Sequence, residues 1–417
     1  MQMNKYVLEI LNALIDKYEQ SSFYKKAQIP TRKIALRFYD NGKNDFPDYD
    51  VENSEQRVTI NRIVEELSSR QLVYYDWMKG QENHLISRVW LNFTELSSVY
   101  QVCKREPKNE IIDKICHELV IAKEGVTSGW ASSFLQDAYT DMIRKRDCTS
   151  ILPIDEKERN LLFKTIIGID KIVGVEYTER VFSLQTLGDT KTFEKTVKSR
   201  LLRILRKYLD DDVDTSDEDL LKQVGIVRYP EQFEFCGDIQ VVFDIGLIDF
   251  SLLHCGSAIF SRDLAVSNLV INSTVDSVIT IENRANYIDY IRTTKKHSEL
   301  VIYHGGQYSP RKHSFFKEIR KMMPSQCKWY HWSDIDYGGF IMLSRLRREI
   351  DSTIIPYRMG ISELEQYVDF AQAINPIYIE KLKKLKMKFE LADCYACIDY
   401  MTDKMIKLEQ EAMLIEL

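Results

Sequence analysis

Two carboxylates in the C-terminal third of the chain have a spacing that suits a divalent metal ion. Asp334 and Asp336 follow the aromatic run at residues 329–332 and are separated by one residue. Successive side chains of an extended segment point to opposite faces, so both carboxylates should point the same way while Ile335 points back into the protein. Carboxylates this close repel each other unless a hard cation such as Mg²⁺ or Mn²⁺ lies between them. The spacing therefore predicts a metal site.

A third carboxylate, Glu282, favours phosphoryl chemistry at this site. It directly follows the β-branched run at residues 278–281. An Asp-x-Asp pair alone is most often part of a surface loop, but a glutamate at the end of an earlier strand supplies a further ligand or a general base. A metal held there would activate water and stabilise charge on a scissile phosphate. The sequence leaves the role of Glu282 open between metal ligand and general base.

The segment that must position these acids alternates between strands and helices. Apolar strands are predicted at residues 278–281, 300–303 and 329–332, and helices at residues 285–294, 315–322 and 340–347. Such alternation predicts a parallel sheet with right-handed crossovers and helices on both faces. Sites in these sheets lie beyond the carboxyl ends of the strands, where all three acids would fall. The Gly338-Gly339 pair allows a tight turn before the last helix.

These stretches resemble the Toprim domain of topoisomerases, primases and a class of nucleases. They resemble more closely the JetD family, nuclease subunits of the Wadjet anti-plasmid system whose C-terminal domain is related to topoisomerase VI. The resembling motifs are TIENR at residues 280–284, IYHGG at 302–306, HWSDID at 331–336, LGDTKTFE at 187–194 and GIVRYP at 225–230. Ser333 stands where the family usually has glycine. The resemblance covers roughly the C-terminal half of the chain or more.

The resemblance implies a metal-dependent DNA endonuclease with Glu282, Asp334 and Asp336 as catalytic and metal-binding residues. It further implies Mg²⁺ or Mn²⁺ as cofactor, a homodimer, and cleavage of double-stranded, circular plasmid DNA presented by a loop-extruding SMC–kleisin complex. One alternative is a tyrosine-dependent strand cleaver of the topoisomerase VI type, although nothing around Tyr177 resembles a nucleophile motif. A second alternative is a non-catalytic protein that clamps DNA or docks on a partner, against which the three intact acids argue.

Several basic or imidazole side chains are candidates for DNA contacts. They are Arg284, His304, Arg311 and Lys312 near the strand ends, and Lys198, Arg203 and Lys207 on an amphipathic helix that precedes an acidic run at residues 210–219. A solvated helix face is the alternative for the last three, and a structural hydrogen bond is the alternative for His304 and for His331. Near the end of the sequence, Leu408-Glu409-Gln410-Glu411 resembles a motif with which members of the family often end. A structural role is expected for it, and whether it also lies near the metal is left open.

The N-terminal pattern predicts a winged-helix-like domain at residues 1–96. Helices are expected at residues 6–18, 34–39 and 54–70, followed by a hairpin of strands at 72–77 and 84–91. The candidate recognition helix mixes Arg57, Arg62 and Arg70 with Glu55, Glu65 and Glu66, which favours docking on a partner protein over reading a DNA sequence. A helical linker with a CAP-like middle domain at residues 97–240 and a Toprim nuclease domain with C-terminal helices at 241–417 complete the predicted multidomain α/β fold.

Length and composition fit a globular protein of more than one domain. The chain has 417 residues, of which 44% are hydrophobic and 29% charged. The net charge of −6 does not indicate DNA binding, but a local basic surface remains compatible with it. No membrane span or signal peptide is expected, and eight scattered cysteines fit reduced thiols of a cytoplasmic protein. Cys394 and Cys397 have a zinc-like spacing but no second pair nearby, which favours core packing.

Overall fold

The chain divides into two compact units, Met1–Ile154 and Asp155–Leu417. The computed structural model describes residues 2–40, 42–172, 175–209, 215–272, 274–306 and 309–415. Residues 210–214, the first half of the predicted acidic run, lie outside the described residues. Across the described ranges, no helix combines the length and the apolar character needed to cross a membrane.

The first unit combines helices with a small antiparallel sheet. Its helices are α1 (Gln2–Glu19), α2 (Ser22–Lys25), α3 (Ser54–Ser69), α4 (Leu96–Cys103), α5 (Lys108–Glu124) and α6 (Gly129–Lys145). Its strands are β1 (Ala35–Arg37), β2 (Val73–Trp77) and β3 (Ile86–Leu91), arranged in the order β1-β3-β2. The predicted helix at residues 34–39 is wrong, because this segment forms β1. Leu36 and Phe38 are both buried, and this two-residue period places them on one face of a strand that pairs with β3.

Helix α3, the predicted recognition helix, buries an apolar face and exposes a mixed-charge face. Arg57 is buried and donates to the carbonyl of Val51, so it does not belong to the exposed face. The other five charged side chains predicted for that face are exposed: Arg62, Arg70, Glu55, Glu65 and Glu66. The elements are compatible with a winged helix, and the docking role of this helix stays a prediction.

The second unit contains the larger sheet. Its helices are α7 (Glu156–Asp170), α8 (Glu179–Leu187), α9 (Lys198–Tyr208), α10 (Asp217–Gln223), α11 (Ser261–Leu264), α12 (Arg284–Thr293), α13 (Pro310–Met322), α14 (Tyr337–Glu349), α15 (Ile361–Gln366), α16 (Pro376–Leu385) and α17 (Tyr395–Lys404). Its strands are β4 (Tyr177–Thr178), β5 (Ile226–Val227), β6 (Gln232–Cys236), β7 (Ile239–Phe243), β8 (Gly246–Asp249), β9 (Ser257–Phe260), β10 (Asn268–Ile271), β11 (Ser277–Ile281), β12 (Glu299–Tyr303), β13 (Lys328–Trp332), β14 (Ile355–Pro356), β15 (Gln372–Ala373) and β16 (Ile406–Lys407). The strands and helices predicted between residues 278 and 347 are present.

The larger sheet has six strands in the order β14-β13-β11-β12-β6-β9. Strands β14, β13, β11 and β12 are parallel, as predicted. Strand β6 runs antiparallel to β12, and β9 antiparallel to β6, so the whole sheet is mixed. The domain boundary predicted at residue 240 would separate β6 from the sheet to which it is hydrogen-bonded.

Both faces of the parallel strands are covered by helices. Residues 278–281 of β11 are all buried, which requires cover on both sides. On one face Trp332 lies 6.3 Å from Tyr290 of α12, between ring centroids. On the other face Trp329 lies 6.1 Å from Phe316 of α13. The two-sided packing leaves the strand ends as the edge where polar side chains gather.

Candidate metal centre

Glu282 and Asp334 are neighbours because β11 and β13 are parallel and end in register. Ile281 pairs with Trp332, and the backbone N–H of Glu282 donates to the Trp332 carbonyl at 2.9 Å. The Glu282 carboxylate in turn accepts from the backbone N–H of Asp334 at 3.3 Å. The predicted meeting of these two acids at the carboxyl edge of the sheet is therefore present.

Asp336 lies beside these acids but is held by structural contacts. It is the N-cap of α14, where its Oδ1 accepts from the Gly339 N–H at 2.8 Å. Its Oδ2 accepts from the Tyr378 hydroxyl at 3.3 Å and lies 3.9 Å from the Lys407 ammonium. These contacts orient the first turn of α14 against the strand end.

The turn between β13 and α14 is too tight for any residue but glycine at position 339. A Cβ on Gly339 would lie 2.1 Å from the Asp334 carbonyl oxygen and 2.6 Å from the Ser333 hydroxyl. Ser333 itself is fully buried beside the Met359 sulfur. The serine that departs from the family pattern is thus accommodated without displacing Asp334.

Two further acids complete the cluster, and both come from the C-terminal segment. Ligand-capable oxygens of Asp334, Glu409 and Glu411 all lie within 4.8 Å of one another. The sequence predicts a structural role for residues 408–411, and the signal that pointed to them was the resemblance of this ending to the family's own. We call Glu282, Asp334, Asp336, Glu409 and Glu411 the carboxylate cluster.

A short β-bridge brings the C-terminal segment to the Asp-x-Asp turn. The N–H of Ile335 donates to the Leu408 carbonyl at 2.9 Å, and the N–H of Leu408 returns a bond of 3.1 Å. Both side chains are fully buried. Ile335 therefore points into the core, as predicted, and its backbone fixes the position of Glu409.

Gln410 connects Asp334 with the start of α12 and with the end of β13. Its backbone N–H donates to Asp334 Oδ1 at 2.6 Å, and its carbonyl accepts from the Asn286 amide at 2.8 Å. Its side-chain oxygen accepts from the Asn283 N–H at 3.0 Å, and its amide donates to the Trp332 carbonyl at 3.4 Å. Because the side chain is fully buried, each of these bonds would be costly to leave unmade.

Burial and mutual repulsion disfavour negative charge in the cluster. Burial raises the pKa of Glu282 well above its usual range, and the charges of Asp334 and Asp336 raise it further. Burial also raises the pKa of Asp334 to about 7, with the Asp336 charge adding to the effect. Burial lowers the pKa of Lys407, but the hydrogen bond to Glu409 and the charges of Glu409, Asp336 and Asp334 together outweigh burial and raise it. A set of converging carboxylate oxygens that repel one another fits a hard divalent cation such as Mg²⁺ or Mn²⁺.

His304 and Lys312, two of the predicted DNA contacts, are buried. Burial lowers the pKa of His304 well below its usual range, so the ring is neutral, and it stacks on Phe316 at 5.4 Å. Lys312 donates to the His304 carbonyl at 2.6 Å and lies 3.6 Å from Glu231. Burial disfavours a direct DNA contact for both residues, which instead hold the loop after β12. His331 is buried too, with Nδ1 2.9 Å from the Thr280 hydroxyl.

The remaining predicted DNA contacts differ in exposure. Arg284 is more than half exposed, pairs with Glu234 and lies over the Tyr303 ring at 5.5 Å. Arg311 is partly exposed in the first turn of α13. On α9, Lys198 is held by an ion pair with Glu179 at 2.6 Å.

On the exposed side of α9, Arg203 and Lys207 face solvent.

Cys394 and Cys397, the pair with zinc-like spacing, both belong to the hydrophobic core of the second unit. Burial raises the pKa of each thiol to about 12, which opposes the thiolate form that zinc requires. The prediction of core packing for these two cysteines is confirmed.

Comparison with known proteins finds similarity to JetD proteins. The family model described as the C-terminal part of Wadjet protein JetD matches residues 257–417, a range that contains the whole carboxylate cluster. The chain is also similar to the Wadjet protein JetD of Bacillus cereus strain Q1, with 26% identity over 425 residues that cover 98% of each chain. Because one match contains the cluster and the other extends over nearly the whole length, the resemblance to JetD proteins predicted from the motifs is confirmed.

Proposed function

We propose that the chain is a metal-dependent DNA endonuclease of a Wadjet-type system. The observation that carries the proposal is the convergence of Asp334, Glu409 and Glu411 oxygens within 4.8 Å at the carboxyl edge of the sheet. These three residues would hold Mg²⁺ or Mn²⁺, with Glu282 and Asp336 beside them. A clamping protein without catalysis would not need carboxylates that converge at this edge, where they repel one another.

Each acid has its own role in this proposal. When bound, the metal supplies an activated water and stabilises charge on the scissile phosphate. Glu282 lies next to the ligand set and has a raised pKa, which suits a group that accepts a proton from water. Asp336 and Gln410 are positioning residues, since the first holds the turn into α14 and the second holds Asp334. Lys407 offsets part of the negative charge of the cluster.

Similarity to the Wadjet protein JetD supports the proposed substrate and partners. We expect double-stranded, circular plasmid DNA as substrate, presented by an SMC–kleisin complex. We also expect a two-fold symmetric homodimer, since a double-strand break needs two sites on opposite strands. Sedimentation of the purified chain at micromolar concentration checks the dimer, and a monomer that persists on adding DNA would contradict it.

The test compares cleavage with metal binding in the same variants. Wild-type protein should cut plasmid DNA with Mg²⁺ or Mn²⁺ but not with EDTA, and its melting temperature should rise when Mn²⁺ is added. Asp334→Asn and Glu411→Gln should lose both effects, because each removes a ligand charge, while the exposed Glu318→Gln should keep both. Undiminished cleavage and metal-induced stabilisation in the two cluster variants would refute the site. DNA ends that are covalently linked to the protein after cleavage would favour the tyrosine-dependent alternative.

A further inference from the structure

A cavity of about 960 Å³ opens at the same edge of the sheet as the carboxylate cluster. Among the described residues its walls include the end of β12, the start of β6, the end of β9 and helix α10. Since β12 lies next to β11, and β6 next to β12, the cavity lies about two strand spacings, or about 10 Å, from the end of β11. A DNA strand rises about 3.4 Å per nucleotide in a duplex, so this separation corresponds to about three nucleotides.

The cavity offers aromatic faces to a ligand. Tyr229 is 71% exposed, a high value for a tyrosine, and it lies on the wall of the cavity. Phe260 and Tyr303 contribute further aromatic surface. Nucleobases stack on such rings irrespective of their sequence, because every base has a π-face.

Opposite charges pack against each other in the floor of the cavity. Glu231 lies 2.7 Å from the Lys222 ammonium and 3.6 Å from that of Lys312. Although burial opposes the charge, these two lysines lower the pKa of Glu231, so it stays ionised. The floor therefore holds one carboxylate against two ammonium groups, a net charge of +1 that is compatible with a phosphate in the cavity.

The charges on the walls are of both signs; Arg228, Arg262 and Asp263 are exposed, while Asp219 is half-buried and accepts from the Ser216 hydroxyl at 2.7 Å. Arg228 and Arg262 offer guanidinium groups, while Asp219 and Asp263 offer carboxylates. Inorganic phosphate would be repelled by the acids and a simple cation by the arginines. A ligand that carries a phosphate and a base with an amino group fits both the arginines and the acids. Guanidinium groups donate paired hydrogen bonds to phosphate, and carboxylates accept hydrogen bonds from base amino groups.

A basic and aromatic bridge connects the cavity with the carboxylate cluster. Tyr303 lines the cavity, and the guanidinium of Arg284 lies over its ring at 5.5 Å. Arg284 follows Glu282 by two residues. A nucleic-acid strand that leaves the cluster along the sheet edge would thus meet a cation before it reaches the cavity.

We propose that this cavity binds one nucleoside phosphate, supplied by an unstacked nucleotide of the DNA strand about three positions from the scissile phosphate. The proposal deepens the nuclease function and rests on it for the source of the nucleotide. A free nucleotide has the same chemistry and is the other source. Tyr229 stacks on the base, and Arg228 and Arg262 bind the phosphate.

The experiment uses full-length protein in EDTA, so that no strand is cut. A set of single-stranded oligonucleotides carries the fluorescent base 2-aminopurine at successive positions, and stacking on tyrosine changes its emission. Wild-type protein should change the emission at one or two neighbouring positions. Tyr229→Ala should abolish that change and weaken binding about 5-fold or more, Tyr229→Phe should preserve both, and Arg228→Gln should weaken binding. Tyr74→Ala, which removes an exposed tyrosine of the first unit, serves as the matched control.

Titration with deoxynucleoside monophosphates separates the two sources. Competition for the oligonucleotide signal by millimolar mononucleotide supports the cavity as a nucleoside phosphate site. Mononucleotide binding that depends on Tyr229, without any oligonucleotide binding, assigns the site to a free nucleotide and counts against the nuclease function. If Tyr229→Ala matches wild type in every titration, the inference is overturned, while metal-dependent cleavage would still support the nuclease.

Discussion

At the scale of single residues, Gln410 links the C-terminal acids to the sheet edge. Its four hydrogen bonds reach Asp334, Asn283, Asn286 and Trp332, which belong to different parts of the second unit. Two of them come from its side chain and two from its backbone. Removal of the side chain therefore keeps the backbone bonds to Asp334 and Asn286 and the bridge between Leu408 and Ile335, but it loosens the segment that carries Glu409 and Glu411.

We expect Gln410→Ala to lower the free energy of unfolding by about 2–4 kcal/mol, from lost hydrogen bonds and a cavity in a buried position. The rise in melting temperature on adding Mn²⁺ should shrink as well, which a purely structural change elsewhere would not cause. Urea titration and thermal melts with and without Mn²⁺ measure the two effects. The exposed Gln366→Ala is the control. An unchanged metal response would show that Gln410 does not position the acids.

His331 makes the stability of the second unit depend on pH. Burial lowers its pKa to about 3 from an ordinary value of 6.5. Between these values the unfolded chain binds a proton that the folded chain does not, so this contribution to stability is complete above pH 6.5 and is lost as the pH falls towards 3. The full loss is on the order of 5 kcal/mol.

We expect His331→Asn to reduce the slope of unfolding free energy against pH between 6.5 and 4.5, by up to about 1.4 kcal/mol per pH unit. Urea titrations followed by tryptophan fluorescence at three pH values give the slope. The slope is informative even if the variant is less stable overall. His117→Asn changes an exposed histidine and should leave the slope as in wild type. Equal slopes in all three proteins would contradict the assignment.

At the scale of elements, helix α9 separates two kinds of basic side chain. Lys198 and Arg206 are engaged with Glu179 and Asp217, each at 2.6 Å. Arg203 and Lys207 are exposed on the same helix. Because Arg203 and Lys207 are the more exposed of the four side chains, they are the more accessible candidates for phosphate contacts, and Lys207 donates to the Tyr208 hydroxyl at 3.0 Å.

We expect the double variant Arg203→Gln/Lys207→Gln to reduce the slope of log affinity for DNA against log salt by about 2, since each lost phosphate contact removes about one released counterion. The matched variant Lys198→Gln/Arg206→Gln should change the slope less. Fluorescence anisotropy over a salt series gives both values. If neither pair alters the slope, α9 is a solvated face, which was the alternative from the sequence.

At the scale of the molecule, the two compact units have separate hydrophobic cores. One core is built from residues between Tyr6 and Tyr100, the other from residues between Phe233 and Met413. The whole carboxylate cluster lies in the second unit. The proposed chemistry and the predicted partner docking therefore fall on different units.

A chain of residues 155–417 should fold alone, melt cooperatively and keep the Mn²⁺-induced rise in melting temperature, because its core and its cluster are its own. It should lose association with the SMC–kleisin complex, if the first unit is the docking module. Thermal melts and co-purification measure these properties, with Glu411→Gln in the same fragment as the control for the metal response. A fragment that does not fold would contradict the independence of the second unit. A fragment that binds the complex as well as the full chain does would contradict docking through the first unit.

The strands that carry the candidate site, together with Glu282, Asp334 and Asp336, could be predicted from the sequence alone. Apolar runs of β-branched and aromatic residues predicted β11, β12 and β13, because a strand buried on both faces needs apolar side chains at every position. Parallel strands end at one edge, so the positions of Glu282 and Asp334 followed from the order of the elements. The segment at residues 34–39 was predicted wrongly, since its pairing with β3 overrides its local helical pattern.

Only the tertiary structure decided which acids converge. Asn283 and Gln410 are 127 positions apart in sequence, and their hydrogen bond is what brings Glu411 to the sheet edge. Likewise β6 joins β12 from outside the predicted domain. Hydrophobic periodicity shows which face of an element is buried, but it does not show the element against which that face packs. The carboxylate cluster is a product of such long-range contacts, so its full membership could not be read from spacing.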